Sequence, residues 1–240
     1  MHQFTQALNA AKQPRLFIFD CDGVLVDSEP IGNQILTRHL CRAGIEMTEA
    51  QVQRLFRGCS AAMCIEKIAQ WLTAPGEADV FWQTMQAETL LALQSVKPIE
   101  GVISVLELLQ GQQQPFCVAS AGDLTKMHTT LGAAGVLEKF TPRLFSATQV
   151  KRSKPAPDLF ISAAQAMGFE PAQCVVIEDS LLGVQAAVAA GMPVYWYVAQ
   201  REMSAAELAQ ITFIDSELVC EFSNMDELVT LLGLKRGQDN

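Results

Sequence analysis

The chain has 240 residues, half of them hydrophobic and 18% charged, with a formal charge of −9 at pH 7. This composition excludes a disordered polypeptide, and the acidic balance lacks the basic footprint of a nucleic-acid-binding module. No apolar run approaches the roughly 18 residues that span a bilayer, and residues 1–15 carry no basic segment followed by an apolar block, so the expectation is a cytoplasmic protein with neither membrane nor nucleic acid as partner.

Residues 16–20 form a short apolar run that ends in an acid. The block from 28 to 96 differs from what surrounds it. Its apolar spacing predicts helices over 31–43, 50–56, 62–72 and 79–93, punctuated by Gly44, Gly58 and Pro75-Gly76, with no convincing strand. A helix over 102–109 ends at Gly111, and a strand over 116–120 ends in a hydroxyl. Helices over 124–137 and 158–167 flank a weaker strand signal at Leu144-Phe145. The run 174–179 reads as a strand closed by two acids. Ser180 then caps a helix over 181–190 that stops at Gly191, and 193–198 is aromatic and β-branched. The tail over 235–240 is polar and expected to fray.

Runs that are apolar on both faces suit a buried parallel sheet, and their alternation with helices implies a doubly wound, Rossmann-like α/β core. The expected division is a core domain over 1–27 and 97–240 with a smaller all-helical domain inserted over 28–96. No internal repeat is visible. The seven cysteines are odd in number, Cys59 and Cys64 lack zinc-type spacing, and only three histidines are present. Reduced thiols packed in the core are the expectation.

In such a sheet, ligands bind beyond the carboxyl ends of the strands. Asp20, Asp22, Ser120, Glu178 and Asp179 all fall at or just past such ends. Carboxylates gathered in one crevice repel one another, and a site holding them needs a cation; oxygen ligands of this kind suit Mg2+. Asp20 would project from the end of a buried strand, which suits a nucleophile. Asp22 is near enough to protonate a leaving oxygen and later activate water. The Ser120 hydroxyl and the amides of Ala121 and Gly122 could meet phosphate oxygens at a helix start, and Lys154 sits in a proline-stiffened loop. Each feature alone also has a plain reading: loop acids, a helix-capping serine, a solvated lysine, an acidic helix start.

Together and in order they carry a resemblance. Phe19-Asp20-Cys21-Asp22-Gly23-Val24-Leu25-Val26-Asp27-Ser28-Glu29 resembles the first motif of the haloacid dehalogenase (HAD) superfamily. Ser120, Lys154-Pro155-Ala156-Pro157-Asp158 and Ile177-Glu178-Asp179-Ser180-Leu181-Leu182-Gly183 resemble its second, third and fourth motifs. The resemblance implies Asp20 as nucleophile, Asp22 as general acid and base, and Ser120 and Lys154 as phosphate holders. It implies Mg2+ on Asp20, the backbone carbonyl of Asp22, Glu178 and Asp179, and a helical cap made by the insertion.

Residue choice narrows the activity. Asp22 argues against dehalogenase and phosphonatase chemistry, and transport ATPases resembling this fold carry a lysine there. A β-phosphoglucomutase-type mutase would place a histidine and an arginine where this chain has Gly32 and Ala61, so net phosphatase action is expected. Arg57, Ser60 and Lys67 surround the Gly58 loop and are expected to read the substrate. Lys126-Met127, the cap and the segment 144–154 resemble a bacterial phosphatase branch that includes 6-phosphogluconate phosphatase. A small phosphorylated metabolite, a sugar phosphate or phospho-sugar acid, is therefore the expected partner. A non-catalytic phospho-ligand-binding protein is the alternative from another class. His39 and His128 are expected on helix faces without a role, and Trp71, Trp82, Tyr195, Trp196 and Tyr197 in core or interdomain packing. The family implies a monomer or weak homodimer.

Overall fold

A computed structural model of the protein describes residues 15–72, 74, 76–199 and 217–235. The readings for residues 1–14, Pro75 and 236–240 lie outside the described residues. None of the described helices is long and apolar enough to cross a membrane.

Six strands, β1 (Leu16–Phe19), β2 (Phe116–Ser120), β3 (Leu144–Ser146), β4 (Cys174–Glu178), β5 (Val194–Tyr197) and β6 (Val219–Phe222), lie in the order β3-β2-β1-β4-β5-β6. All neighbours are parallel. The chain winds outward from β1 through β2 and β3, then returns to the other side of β1 as β4. The reversal point therefore lies between β1 and β4, and the crevice beyond their carboxyl ends is where such sheets bind ligands.

The central strands are buried at every position, and apolar up to the last residues of β2 and β4, because both sheet faces are covered. Phe17, Phe19, Val175 and Ile177 join one apolar cluster with residues of helices α5 (Val102–Gly111) and α6 (Leu124–Ala133). Leu16, Ile18, Cys174 and Val176 join a second with α8 (Asp158–Ala166) and α9 (Leu181–Ala189). Trp196 and Tyr195 are buried in these clusters, and Tyr197 stacks on Phe222 with ring centroids 5.0 Å apart.

Between β1 and α5 the chain forms helices α1 (Glu29–Arg42), α2 (Glu49–Phe56), α3 (Ala61–Ile68) and α4 (Glu77–Ala92). They surround an apolar cluster of their own that includes Ile35, Leu40, Val52, Phe56, Ile68 and Met85. Thr48 starts α2 with a reciprocal capping box to Gln51. The two chain crossings to this block lie side by side, since the amide of Asp27 donates to the carbonyl of Lys97 at 2.9 Å.

Several boundaries differ from the sequence reading. The helix expected over 124–137 stops at Ala133, because Gly135 takes a left-handed φ of 72° and a one-turn helix, α7 (Leu137–Phe140), follows. The helix expected over 62–72 ends at Ile68. β6 and α10 (Met225–Leu231) escaped the reading. β6 lies at the sheet edge and its burial alternates, so it lacks the continuous apolar run that marks the central strands. Cys21, Cys64, Cys117, Cys174 and Cys220 are buried, whereas Cys59 is partly exposed and Cys41 is at the surface.

Candidate active site

Asp20 follows β1 directly, and its amide donates to the carbonyl of Ile177 at 2.9 Å, which ties the end of β1 to β4. Lys154 is 1% exposed and lies between two acids. Its Nζ donates to Asp20 Oδ1 and to Glu178 Oε1, each at 2.7 Å. The ammonium also sits over the Phe160 ring, 4.9 Å from its centroid. Burial opposes the lysine's charge, but Asp20 and Glu178 hold its pKa above the ordinary value. Burial pushes the Asp20 carboxyl up to about 7, against the pull of Lys154.

Glu178 ends β4 fully buried. Its Oε2 accepts from the amide of Ser180 at 2.6 Å. Gly183, one turn into α9, leaves room for this carboxylate: a Cβ there would overlap it. Asp179 follows, and its carbonyl accepts from Trp196 Nε1 at 3.0 Å. Burial raises the Asp179 carboxyl, with Arg57 opposing. Asp20, Glu178 and Asp179 can each present one oxygen with all three within 4.8 Å of one another. Three buried acids held by Lys154 and Arg57 form an all-oxygen donor set that fits a hard dication.

Asp22 is not part of that group. Its carboxylate has donors of its own: Ser28 Oγ donates to Oδ1 and Lys126 Nζ donates to Oδ2 at 2.8 Å. Burial works against its charge, but Lys126 and Ser28 hold it below the usual carboxylate range. Gly23 has φ +78°, and a Cβ on it would collide with Asp179; the turn that follows the two acids requires glycine on both counts.

Ser120 ends β2 and is buried, with its Oγ accepting from the Gly122 amide at 3.0 Å. This corrects two readings. The Gly122 amide, expected to meet phosphate, is already engaged. The cap of α6 is Asp123, which accepts from the amide of Lys126 at 2.8 Å. Ala121 lines the cavity beside Ser120.

The helical block closes over these groups. Arg57 donates from Nε and Nη2 to Asp179 Oδ2, at 2.9 and 2.5 Å, and its Nε lies 3.1 Å from Glu29 Oε1. It is therefore held by site carboxylates, a partner the sequence did not disclose. The Gly58 loop rests on α9's cap: a Cβ on Gly58 would lie 2.6 Å from Ser180 Oγ. Ser60 caps α3 and accepts from Ser153 Oγ at 3.1 Å, joining the block to the Lys154 loop. Gln86 Nε2 of α4 donates to Asp123 Oδ2 at 2.9 Å. Lys67 does not reach the site; its Nζ donates to the carbonyl of Leu55 at 2.8 Å, at the end of α2. His39 pairs with Glu88 at 2.8 Å, away from the cavity. Trp82 lines the cavity.

The cavity between the block and the sheet has a volume of about 440 Å³ and is lined by Asp20, Asp22, Arg57, Ser120, Lys126 and Asp179, among others. Gly32 and Ala61 also line it, without a cation at either position. Lys126 and Gly183 are the residues that sequence reasoning left without a role. Lys126 had only its place in a resemblance, and Gly183 only its place in a motif.

The profile of haloacid dehalogenase-like hydrolases matches residues 14–191. The 6-phosphogluconate phosphatase of Escherichia coli (strain K12) is 30% identical over 185 residues, covering 75% of this chain and 81% of that protein. Fructose-1-phosphate phosphatase YqaB of the same organism is 32% identical over 180 residues, 73% of this chain and 92% of that one. A crystal structure of a HAD family hydrolase from Deinococcus radiodurans R1 with bound phosphate and sodium is 28% identical. It superposes with a TM-score of 0.70, covering 91% of this chain and 95% of that one.

Proposed function

The chain belongs to the haloacid dehalogenase-like hydrolase family, and we propose that it hydrolyses a small phosphomonoester through an aspartyl-phosphate on Asp20. The observation that carries this reading is the opposite setting of two acids on one loop. Asp20 is buried against Lys154 beside Glu178, while Asp22 is held apart from them by Ser28 and Lys126. Without a cation burial raises Asp20, and a dication on the buried triad would lower it to the carboxylate that attack on phosphorus needs.

Asp20 is the nucleophile. Its carboxylate oxygen attacks phosphorus, and the bond to the leaving oxygen breaks. Asp22 gives its proton to that oxygen. A phosphate dianion bound beside Asp22 favours the protonated carboxyl that this step needs. Water then attacks the aspartyl-phosphate, Asp22 takes its proton, and inorganic phosphate leaves with Asp20 restored. Ser120 and Lys154 hold the transferring group's oxygens. Asp20, the Asp22 backbone carbonyl, Glu178 and Asp179 would hold Mg2+, which would supply charge neutralisation. The buried triad whose oxygens lie within 4.8 Å supports that choice of residues.

The block over 28–96 acts as a cap on a core made of 1–27 and 97–240, and the cavity between them receives the leaving portion. Three of the curated relatives are named as phosphatases of 6-phosphogluconate, fructose 1-phosphate and hexitols. We extend this to a phosphorylated sugar, sugar acid or polyol as the substrate class. A mutase needs a grip on a second phosphate, and Gly32 and Ala61 provide no charged group for it.

The test is phosphate release across sugar phosphates, phospho-sugar acids, hexitol phosphates and β-glucose 1-phosphate, with and without Mg2+. Release that needs Mg2+ and favours one of these classes is expected. Isomerisation of β-glucose 1-phosphate without release would establish the mutase instead, and no reaction with any of them would leave a phospho-ligand-binding protein.

A further inference from the structure

Asp22 is the residue on which both proton transfers of the proposed reaction depend, yet it sits in a turn after β1, where a short side chain can rotate. Two donors pin its two oxygens. Ser28 Oγ takes Oδ1, and Lys126 Nζ lies 2.8 Å from Oδ2.

Lys126 is itself set by its helix. It stands in the first turn of α6, where Asp123 accepts its amide at 2.8 Å. The same Asp123 accepts from Gln86 of the helical block at 2.9 Å, so one residue fixes the helix start and ties it to the roof of the cavity. Gly122 lets the groups converge. A Cβ there would lie 3.3 Å from Ser120 Oγ, 3.4 Å from Lys126 Cδ and 3.7 Å from Asp22 Oδ2. The Lys126 side chain keeps 30% exposure and lines the cavity. A packing role would not require an ammonium at this position.

We propose that Lys126 is a positioning residue that holds the Asp22 carboxyl toward the leaving oxygen. The inference rests on the reading of Asp22 as the acid and base. Lys154 serves Asp20 and Glu178, Arg57 serves Asp179, and Lys126 serves Asp22.

Leaving groups separate this role from a grip on phosphate. An alkoxide needs a proton as it departs, whereas a nitrophenolate leaves without one. Purified full-length Lys126→Met and Asp22→Asn variants are compared with the parent on n-propyl phosphate and on p-nitrophenyl phosphate. Both variants are expected to lose at least ~10-fold more kcat/KM on the alkyl ester than on the aryl ester. Lys126→Arg should recover part of the alkyl activity, and Lys126→Met should add little once Asp22 is Asn. Equal losses on the two esters in Lys126→Met, beside a selective loss in Asp22→Asn, would overturn the positioning role alone. Equal losses in Asp22→Asn would overturn the acid reading and this inference with it. Lys126→Gln carries the same comparison if the methionine variant does not fold.

Discussion

Arg57, from the helical block, grips Asp179, from the sheet: Nε and Nη2 both donate to one carboxylate oxygen, at 2.9 and 2.5 Å. Glu29 flanks the guanidinium at 3.1 Å. The Arg57 side chain is 18% exposed and that of Asp179 2%, so removing the cation leaves two poorly solvated carboxylates facing each other. Arg57→Ala is expected to lower stability by on the order of 3 kcal/mol. A divalent cation replaces part of the lost charge, so Mg2+ should raise the melting temperature of the variant more than that of the parent. Calorimetry with and without Mg2+ checks this, and equal shifts would refute it.

Asp20→Asn changes one atom at the end of β1 and keeps the shape. An amide cannot form an acyl-phosphate, so turnover is expected to fall at least about a thousandfold. The melting transition should remain cooperative. Comparable activity in the variant would remove Asp20 as the nucleophile.

Gly183→Ala is the opposite of a helix-stabilising change. In an open helix, alanine is better than glycine by up to about 1 kcal/mol. Here the added methyl would overlap the Glu178 carboxylate. The acid must move, and the triad with Asp20 and Asp179 opens. Mg2+ affinity measured by titration calorimetry is expected to weaken at least about tenfold. An unchanged affinity would show that Glu178 is not needed at that place.

Alkaline stability follows from the buried thiols. Burial pushes Cys174 from its ordinary value of 9.0 up to about 12 and raises Cys117 as well. A folded-state pKa above the unfolded one means the unfolded chain loses the proton first. This contribution is whole below pH 9 and is lost as pH rises toward 12. Melting temperatures should therefore fall as pH climbs past 9, and less steeply in Cys174→Ala. Parallel curves for the two proteins would count against this origin.

The strands that build the crevice could be read from the chain. β1 is apolar throughout, β2 and β4 are apolar up to their last residues, and the three runs end in Asp20, Ser120 and Glu178-Asp179. The doubly wound class follows from that pattern, and so does the arrival of these residues at one edge. β6 could not be read, because an edge strand with alternating burial looks like a loop. Glycines 23, 58 and 183 announce permissive backbone in the sequence, but only the fold shows which side chains press on them.

By itself, then, the sequence determined the elements whose signals are local: apolar periodicity, the acids and hydroxyl that close the strands, and the glycines and caps that end the helices. The tertiary structure alone decided the pairings. Lys126 meets Asp22 across 104 positions, and Arg57 meets Asp179 across 122. Such contacts depend on which strands are neighbours and on how closely the helical block settles onto them. Those are properties of packing, and no local pattern of residues encodes them.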